Sequence, residues 1–508
     1  MTATADVKPL RPRQRLGAWF HDLHPGYRLP LRWFLIGTMT TIAFHSSILS
    51  LVETTRGGGL GAFVWTVAIV GVLVAVSVSR WPRTELPIHD RQTDIIVGTM
   101  GLGLALLIHG VLLARYSYYF HLLRLDLVAM WFFVLSSSIV LFGLRPVGRY
   151  AWVWAMMLLL TFPLPYYVAV ASLGGGRVAA GAATLLVSGV GAGIALGRTF
   201  RRGLAGSVVS WAFGGLILLV MTVYFFDSSL LAFQMIPAVL TTCVVGGGFY
   251  WHARRGVPKR LLDRKVEPLA ARQVWAGVPV VVAVGIALAL VNIPSTLGTT
   301  PLSTVEYPVD LRRPLSAPPG WHVVRTQQYP GVSRLYGRDS VLTRQEMAAD
   351  VGDPRYDKKS RPRTLMVDTI FISRGFAERV YPTRVLYDIS SARISNQYPV
   401  DLGNGVTGQL LSGVDDVKRF GWNLLQFAWG HDGHAEHIAI WAVDNHDPDA
   451  PFPEPSIMWQ ATFARLFTVL LRGNAAVTDK APSFKDRELL TGFGTALVVA
   501  QLQRGGNS

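Results

Sequence analysis

The most unusual group of side chains able to do chemistry on the outer face of this chain is Arg115, Tyr116, Tyr118, Tyr119, His121, Arg124 and Asp126, gathered in one short segment. Guanidinium groups hold a carboxylate or phosphate through paired hydrogen bonds, and a neighbouring carboxylate fixes the fork. With Arg177 and Asp227, placed on the same side of the membrane by the topology below, these residues make a candidate vestibule for an anionic lipid, a glycan or a peptide carboxylate. They also have a plainer role. Tyrosines at a helix end belong to the aromatic belt of a bilayer, and arginine snorkels there.

A second constellation is Gly430-His431-Asp432-Gly433-His434-Ala435-Glu436-His437, with Asp444, His446, Asp447 and Asp449 downstream. Three histidines among carboxylates could bind a divalent metal. The spacing matches no standard zinc signature. Asp-Gly between two strand-like runs signals a hairpin turn instead. That geometry makes His431 and His434 solvated turn residues and puts His437 on one face of the returning strand.

The one cysteine, Cys243, lies in an apolar run beside Thr241, Thr242, Val244 and Val245, and is expected to be a small buried residue. It excludes an intrachain disulfide and any Cys-x-x-Cys metal site. Gly57-Gly58-Gly59 and Gly174-Gly175-Gly176 lack the strand-to-helix context of a phosphate cradle, and no Ser-His-Asp order is present. No cofactor follows from the sequence.

The elements that must position these residues begin with nine apolar stretches of bilayer-spanning length: Leu31 to Val52, Leu60 to Val78, Ile95 to Leu113, Leu127 to Leu144, Tyr150 to Ala171, Val178 to Leu196, Gly206 to Phe226, Ser229 to Trp251 and Val274 to Val291. The first follows a leader too long for a cleaved signal and reads as an anchor. Ionisable groups inside the spans are confined to His45 and His109, which disfavours ion-driven transport. The glycines and alanines of the sixth stretch suit close helix packing.

Net charge is +16, and almost all of it belongs to the membrane half: up to residue 300 there are 25 Lys and Arg against 10 Asp and Glu, and beyond it 23 against 22. The basic residues alternate along the loops. Twenty-one lie in the N-terminal segment and even loops, including Arg32, Arg91 and the run from Arg254 to Arg272, while Arg56, Arg115, Arg124 and Arg177 are the four of the odd loops. Positive residues stay inside, so the N-terminus is expected in the cytoplasm and the C-terminal domain outside a plasma membrane. The charge is thereby explained without nucleic acid.

The expected fold is an all-α polytopic membrane domain of about nine transmembrane helices followed by a soluble α+β domain. Its parts are a basic segment over 1–30, the membrane domain over 31–293, a Pro-rich linker over 294–320 and the soluble domain over 321–508. Candidate strands are Trp321 to Arg325, Thr364 to Ser373, Arg384 to Ile389, Gly405 to Leu411, Trp422 to Trp429 and Glu436 to Val443. Helical spacing marks Ser456 to Leu471 and Phe484 to Gln503, expected to cover one sheet face.

The run from Arg124-Leu125-Asp126 through Gly143, with Trp152 to Phe162-Pro163-Leu164-Pro165-Tyr166, resembles the central membrane region of the exosortase and archaeosortase family. Ser316-Ala317-Pro318-Pro319-Gly320-Trp321 is similar to the opening of the extracytoplasmic domain that some exosortases carry. The resemblance implies a polytopic enzyme that cleaves and transfers the tails of exported proteins through Cys, Arg and His. The family's Cys precedes a Ser-Gly pair outside the membrane, whereas Cys243 precedes Val244 within a span. The expected function is therefore a non-catalytic membrane subunit or scaffold, in contact with lipids and with envelope or exported proteins. The competing reading is an exosortase-like transpeptidase or protease with a non-cysteine nucleophile.

Overall fold

The computed structural model describes residues 25–79, 91–197, 199–254, 271–293 and 302–306, and 313–505 apart from 338, 373–376, 382–385, 390, 432–433, 448–449, 456–457, 473–478 and 480. The basic residues Lys8 to Arg15, Arg80, Arg83, Arg198 and Arg255 to Arg264, the hairpin tip Asp432-Gly433, and Asp449 lie outside the described residues. The chain divides into a helical unit (residues 1–53, 61–165 and 184–295) and a second unit (54–60, 166–183 and 296–508).

The long helices are α1 (Pro25–Ala43), α2 (His45–Arg56), α3 (Phe63–Ser79), α4 (Arg91–Leu107), α5 (Leu125–Phe142), α6 (Ala151–Thr161), α7 (Leu164–Ser172), α8 (Gly176–Leu196), α9 (Phe200–Tyr224), α10 (Leu230–Arg254) and α11 (Ala271–Ala289); the end of α2, nearly all of α7 and the start of α8 belong to the second unit and the rest to the helical unit. Among the described residues, six helices are long and apolar enough to cross a membrane, or seven if the bent pair α1 and α2 is one span. The sequence suggested nine. Three stretches account for the difference. Leu31 to Val52 bends by 75° at Phe44. Tyr150 to Ala171 breaks between α6 and α7 at Phe162-Pro163, where proline cannot extend the preceding helix. The apolar part of α11 is short.

Helix α5 is the hub. Its buried face includes Leu127, Ala129, Phe133 and Ser137, and a core of Phe44, Leu102, Ala105, Ile108, Ala129, Phe133, Val281 and Leu288 gathers there. Large apolar side chains such as Phe34, Leu219 and Trp251 point outward instead, as a lipid-facing surface requires. Cys243 is also exposed on α10. That corrects its expected burial: one α-helix has two faces, and an apolar neighbourhood in sequence does not say which one a residue takes.

The second unit contains a nine-stranded sheet. Its strands are β1 (Leu302–Glu306), β2 (Trp321–Tyr329), β3 (Leu342–Ala349), β4 (Thr364–Ile372), β5 (Arg393–Ile394), β6 (Tyr398–Asp401), β7 (Thr407–Asp415), β8 (Phe420–His431) and β9 (His434–Val443). The order is β2-β3-β4-β9-β8-β7-β5, antiparallel along this path, with β6 beside β7 and β1 parallel to the far end of β8. Alternation along the strands sends Val367, Phe427, Ile438 and Ile440 to one face, where α13 (Arg487–Gly505) covers them with Leu490, Phe493 and Leu497. A further helix, α12 (Trp459–Arg472), buries Phe463. Of the segment expected as a strand over Arg384 to Ile389, residues 386–389 contribute a single bridge, Tyr387 to Pro455. Within the expected linker, β1 joins the sheet and Leu315 enters the core.

Candidate functional site

Of the vestibule residues, Arg124 and Asp126 form a buried pair. After a helical turn over Phe120–Leu123, Arg124 takes a left-handed backbone (φ 45°, ψ 47°) and α5 begins at the next residue. Left-handed backbone costs a non-glycine residue about 1–2 kcal/mol. The side chain offsets that cost. Arg124 donates from Nε to Asp126 Oδ1 (3.1 Å), and from Nη2 to Asp126 Oδ2 (3.0 Å) and the Ser47 carbonyl (3.2 Å). Its guanidinium also lies over the Phe120 ring, 5.1 Å from the centroid. Side-chain exposure is 3% for Arg124 and 0% for Asp126. Asp126 stands in the first turn of α5, where a helix dipole favours an anion.

Two buried polar atoms near this pair have no hydrogen-bond partner among the described residues, Ser47 Oγ and His109 Nδ1. His109 sits on a π-helical turn, Ile108–Leu112, that continues α4. Its ring meets Phe44 edge-on at 5.1 Å, and Phe44 in turn lies 5.9 Å from Phe133. The bend at Phe44, the π turn and the left-handed Arg124 are three departures from regular helix around one buried pair. Such departures concentrate at functional sites.

Arg115 is exposed with its guanidinium 5.8 Å from the Tyr116 ring centroid, and Asp227 is exposed in the turn before α10. His121 is buried, edge-on to Phe120 at 5.0 Å. Arg177 is half-buried and belongs to the second unit.

Sequence reasoning passed over the charges at the opposite end of α5. Arg32 Nη1 donates to the Leu141 carbonyl (3.1 Å) and Arg91 Nη1 to the Val140 carbonyl (2.7 Å), filling acceptors that a helix C-terminus leaves open. Buried Asp94 accepts from the Leu144 backbone N–H at 2.7 Å, just past Gly143 with φ 95°. The sequence signal was present, a carboxylate opening an apolar stretch and a glycine closing another. Arg32 and Arg91 were counted as loop charges because charge alternation reports side, not contact.

In the second unit, Arg344 on β3 makes a two-point ion pair with Asp368 on β4 (2.7 and 2.8 Å) and donates to the Pro453 carbonyl (2.6 Å). The Tyr387 hydroxyl donates to the same carboxylate at 2.7 Å. Burial opposes charge on Arg344, but the hydrogen bonds and charge of Asp368 outweigh it and raise its pKa. Burial also pushes the Tyr387 phenol well above its ordinary value. The guanidinium and the carboxylate are each held by more than one partner within the domain.

A second network joins loops to α13. His446 Nδ1 lies 2.8 Å from Asp357 Oδ2, His446 Nε2 meets Arg363, and Arg363 Nη2 donates to Asp486 at 2.9 Å. Burial disfavours charge on Asp357, but the bonds from His446, the Lys359 backbone and Arg361 hold its carboxyl well below the usual range.

In the histidine hairpin the three histidines take different places. His431 and His434 are paired across β8 and β9. The His434 ring stacks on Phe371 at 5.4 Å, and His437 is buried, its pKa lowered to about 4 by desolvation. Among the described residues, no three His, Cys, Asp or Glu side chains come together in a way that could hold a metal. Glu436 accepts from Trp429 Nε1 at 2.7 Å and, with Arg313, Asp339, Thr343 and Thr369, lines a shallow cleft enclosing about 160 Å³. Small-molecule sites usually start near 300 Å³.

Comparison with family models, with curated proteins and with solved structures finds no match for this chain.

Proposed function

We propose that this protein is a multi-pass plasma-membrane subunit that presents its α+β domain outside the cell and serves as a non-catalytic scaffold in envelope assembly or export. The observation that carries this reading is the Arg124–Asp126 pair. The cation that would have held a substrate carboxylate is bound on two sides by Asp126 and on a third by the Ser47 carbonyl, and both residues are buried. A guanidinium so engaged fastens helices. Its partners in this reading are membrane lipids and envelope or exported proteins.

Nine membrane passages, with α6–α7 and α11 crossing as broken or short elements, put the N-terminus inside and the C-terminal domain outside by the charge rule. Support comes from within the second unit, where Gly175, in an odd-numbered loop, packs against the Arg334 backbone. The test is a set of reporter fusions. A fusion after Leu297 is expected to report an extracytoplasmic site and one in the Arg254 to Arg272 loop a cytoplasmic site. A cytoplasmic C-terminal domain overturns the reading.

The exosortase-like alternative draws on a separate observation, that Ser47 Oγ and His109 Nδ1, buried close to the Arg124–Asp126 pair, have no hydrogen-bond partner among the described residues. A serine hydroxyl would there replace the missing cysteine. Loss of processing of exported substrates in Ser47→Ala at normal abundance would favour it, and retention would dismiss it.

A further inference from the structure

From α12 we infer a second attachment to the bilayer: this helix of the C-terminal domain lies in the headgroup layer of an anionic phospholipid surface. Its buried side is fixed by Phe463 and Thr462, and Arg465 pairs with Asp388 at 3.4 Å, tying the helix to the segment around Tyr387. The opposite side carries Ala464, Phe467, Thr468 and Leu471, residues at helical spacing and all exposed. Phe467 is 49% and Leu471 85% exposed. Leaving such side chains in water forgoes the gain that burying their apolar surface would bring.

Three observations point to lipid as the occupant. The helix sequence Trp459–Arg472 contains no acidic residue, and of its two arginines Arg465 is held by Asp388, which leaves Arg472 as the charge that complements anionic headgroups. The chain also keeps the domain close to the bilayer. From Ala289, the end of α11, to Leu302, the start of β1, an extended chain at about 3.3–3.6 Å per residue reaches little beyond the thickness of one membrane. Finally, the second unit itself contains the start of a membrane-length helix, because it includes residues 166–183 and α8 begins at Gly176. Within that unit the Tyr167 and Tyr381 rings lie 6.1 Å apart, and Tyr381 accepts a 2.6 Å bond from Tyr336. A short tether raises the effective concentration of lipid at α12, so a modest apolar stripe suffices for docking.

The experiment uses the full chain with Cys243→Ala, so that a single new cysteine can carry an environment-sensitive fluorophore. Probes are placed at Phe467→Cys, Leu471→Cys and, as a water-exposed control, Val351→Cys, and the protein is reconstituted in vesicles of phosphatidylcholine and phosphatidylglycerol. Docking predicts a blue shift at the first two positions and strong quenching by nitroxide carried on lipid chains, with neither at Val351. Arg472→Glu should weaken both signals. Equal, water-like emission at all three positions overturns the proposal. So does shielding at 467 and 471 that grows with protein density and resists lipid-borne quencher, which would identify a second copy of the chain as the occupant.

Discussion

Gly175 and Arg334, far apart in sequence, approach so closely that a methyl group on Gly175 would stand 2.7 Å from the Arg334 carbonyl oxygen. Gly175 also has φ +74°, a conformation that only glycine adopts freely. Gly175→Val therefore meets both a strained backbone and an immovable carbonyl. It is expected to loosen the loop before α8 from the domain, seen as faster proteolysis of the C-terminal domain at unchanged membrane insertion.

Arg124→Leu alone leaves the Asp126 carboxylate buried without its counter-charge, which typically costs about 3–5 kcal/mol. Replacing both residues with apolar ones of similar size removes the orphaned charge, so the double variant should be more stable than either single one. Thermal unfolding of the detergent-solubilised protein would read the order. A double variant weaker than Arg124→Leu would argue that the pair does more than hold α5.

In the sheet, Asp368→Asn removes the charge that compensates buried Arg344, while Tyr387→Phe removes one hydrogen bond to the same carboxylate. The first is expected to cost about 3–5 kcal/mol and the second about 1–2 kcal/mol. Chemical denaturation followed by tryptophan fluorescence can rank them, because the Trp441 ring packs at a tilt against Tyr387, 4.7 Å between centroids.

His437 gives the domain an acid-side instability. Its folded pKa of about 4 lies below the ordinary value of 6.5, so as pH falls through 6.5 the unfolded chain takes up a proton that the folded one refuses. Stability declines between pH 6.5 and 4 and is then flat for this residue, a total of roughly 3 kcal/mol at 1.36 kcal/mol per unit. His437→Leu should flatten this part of the stability curve. An unchanged slope from pH 6.5 to 4 would show that other groups carry it.

The exposed thiol of Cys243 predicts that Cys243→Ala is silent, within about 0.5 kcal/mol in stability. Equal thermal transitions for the two proteins would meet the expectation.

What could be read from the sequence follows the strength of each periodic signal. The apolar helices announce themselves because a bilayer demands long uninterrupted runs. The hairpin of β8 and β9 was legible from Asp432-Gly433 between alternating segments, although the tip itself lies outside the described residues. Strand β3 was not legible, since Leu342-Thr-Arg-Gln-Glu-Met-Ala-Ala has the residues of a helix. It is held extended by partners distant in the chain, Asp368 for Arg344 and Leu315 for Gln345. At the candidate site, the proximity of Arg124 and Asp126 was visible, but their burial was not. It depends on the bend at Phe44, which brings the Ser47 carbonyl to the guanidinium.

Fastening at both ends gives α5 a mechanical character. Arg124 ties its first turn to Ser47, while Arg32 and Arg91 seize its last carbonyls. A piston stroke along the helix axis would have to break all three contacts at once in a medium without water to replace them. Pivoting of a neighbouring helix about this fixed post would leave the contacts of the others in place, and the 75° bend at Phe44 is a break in the helix where such a pivot could be accommodated.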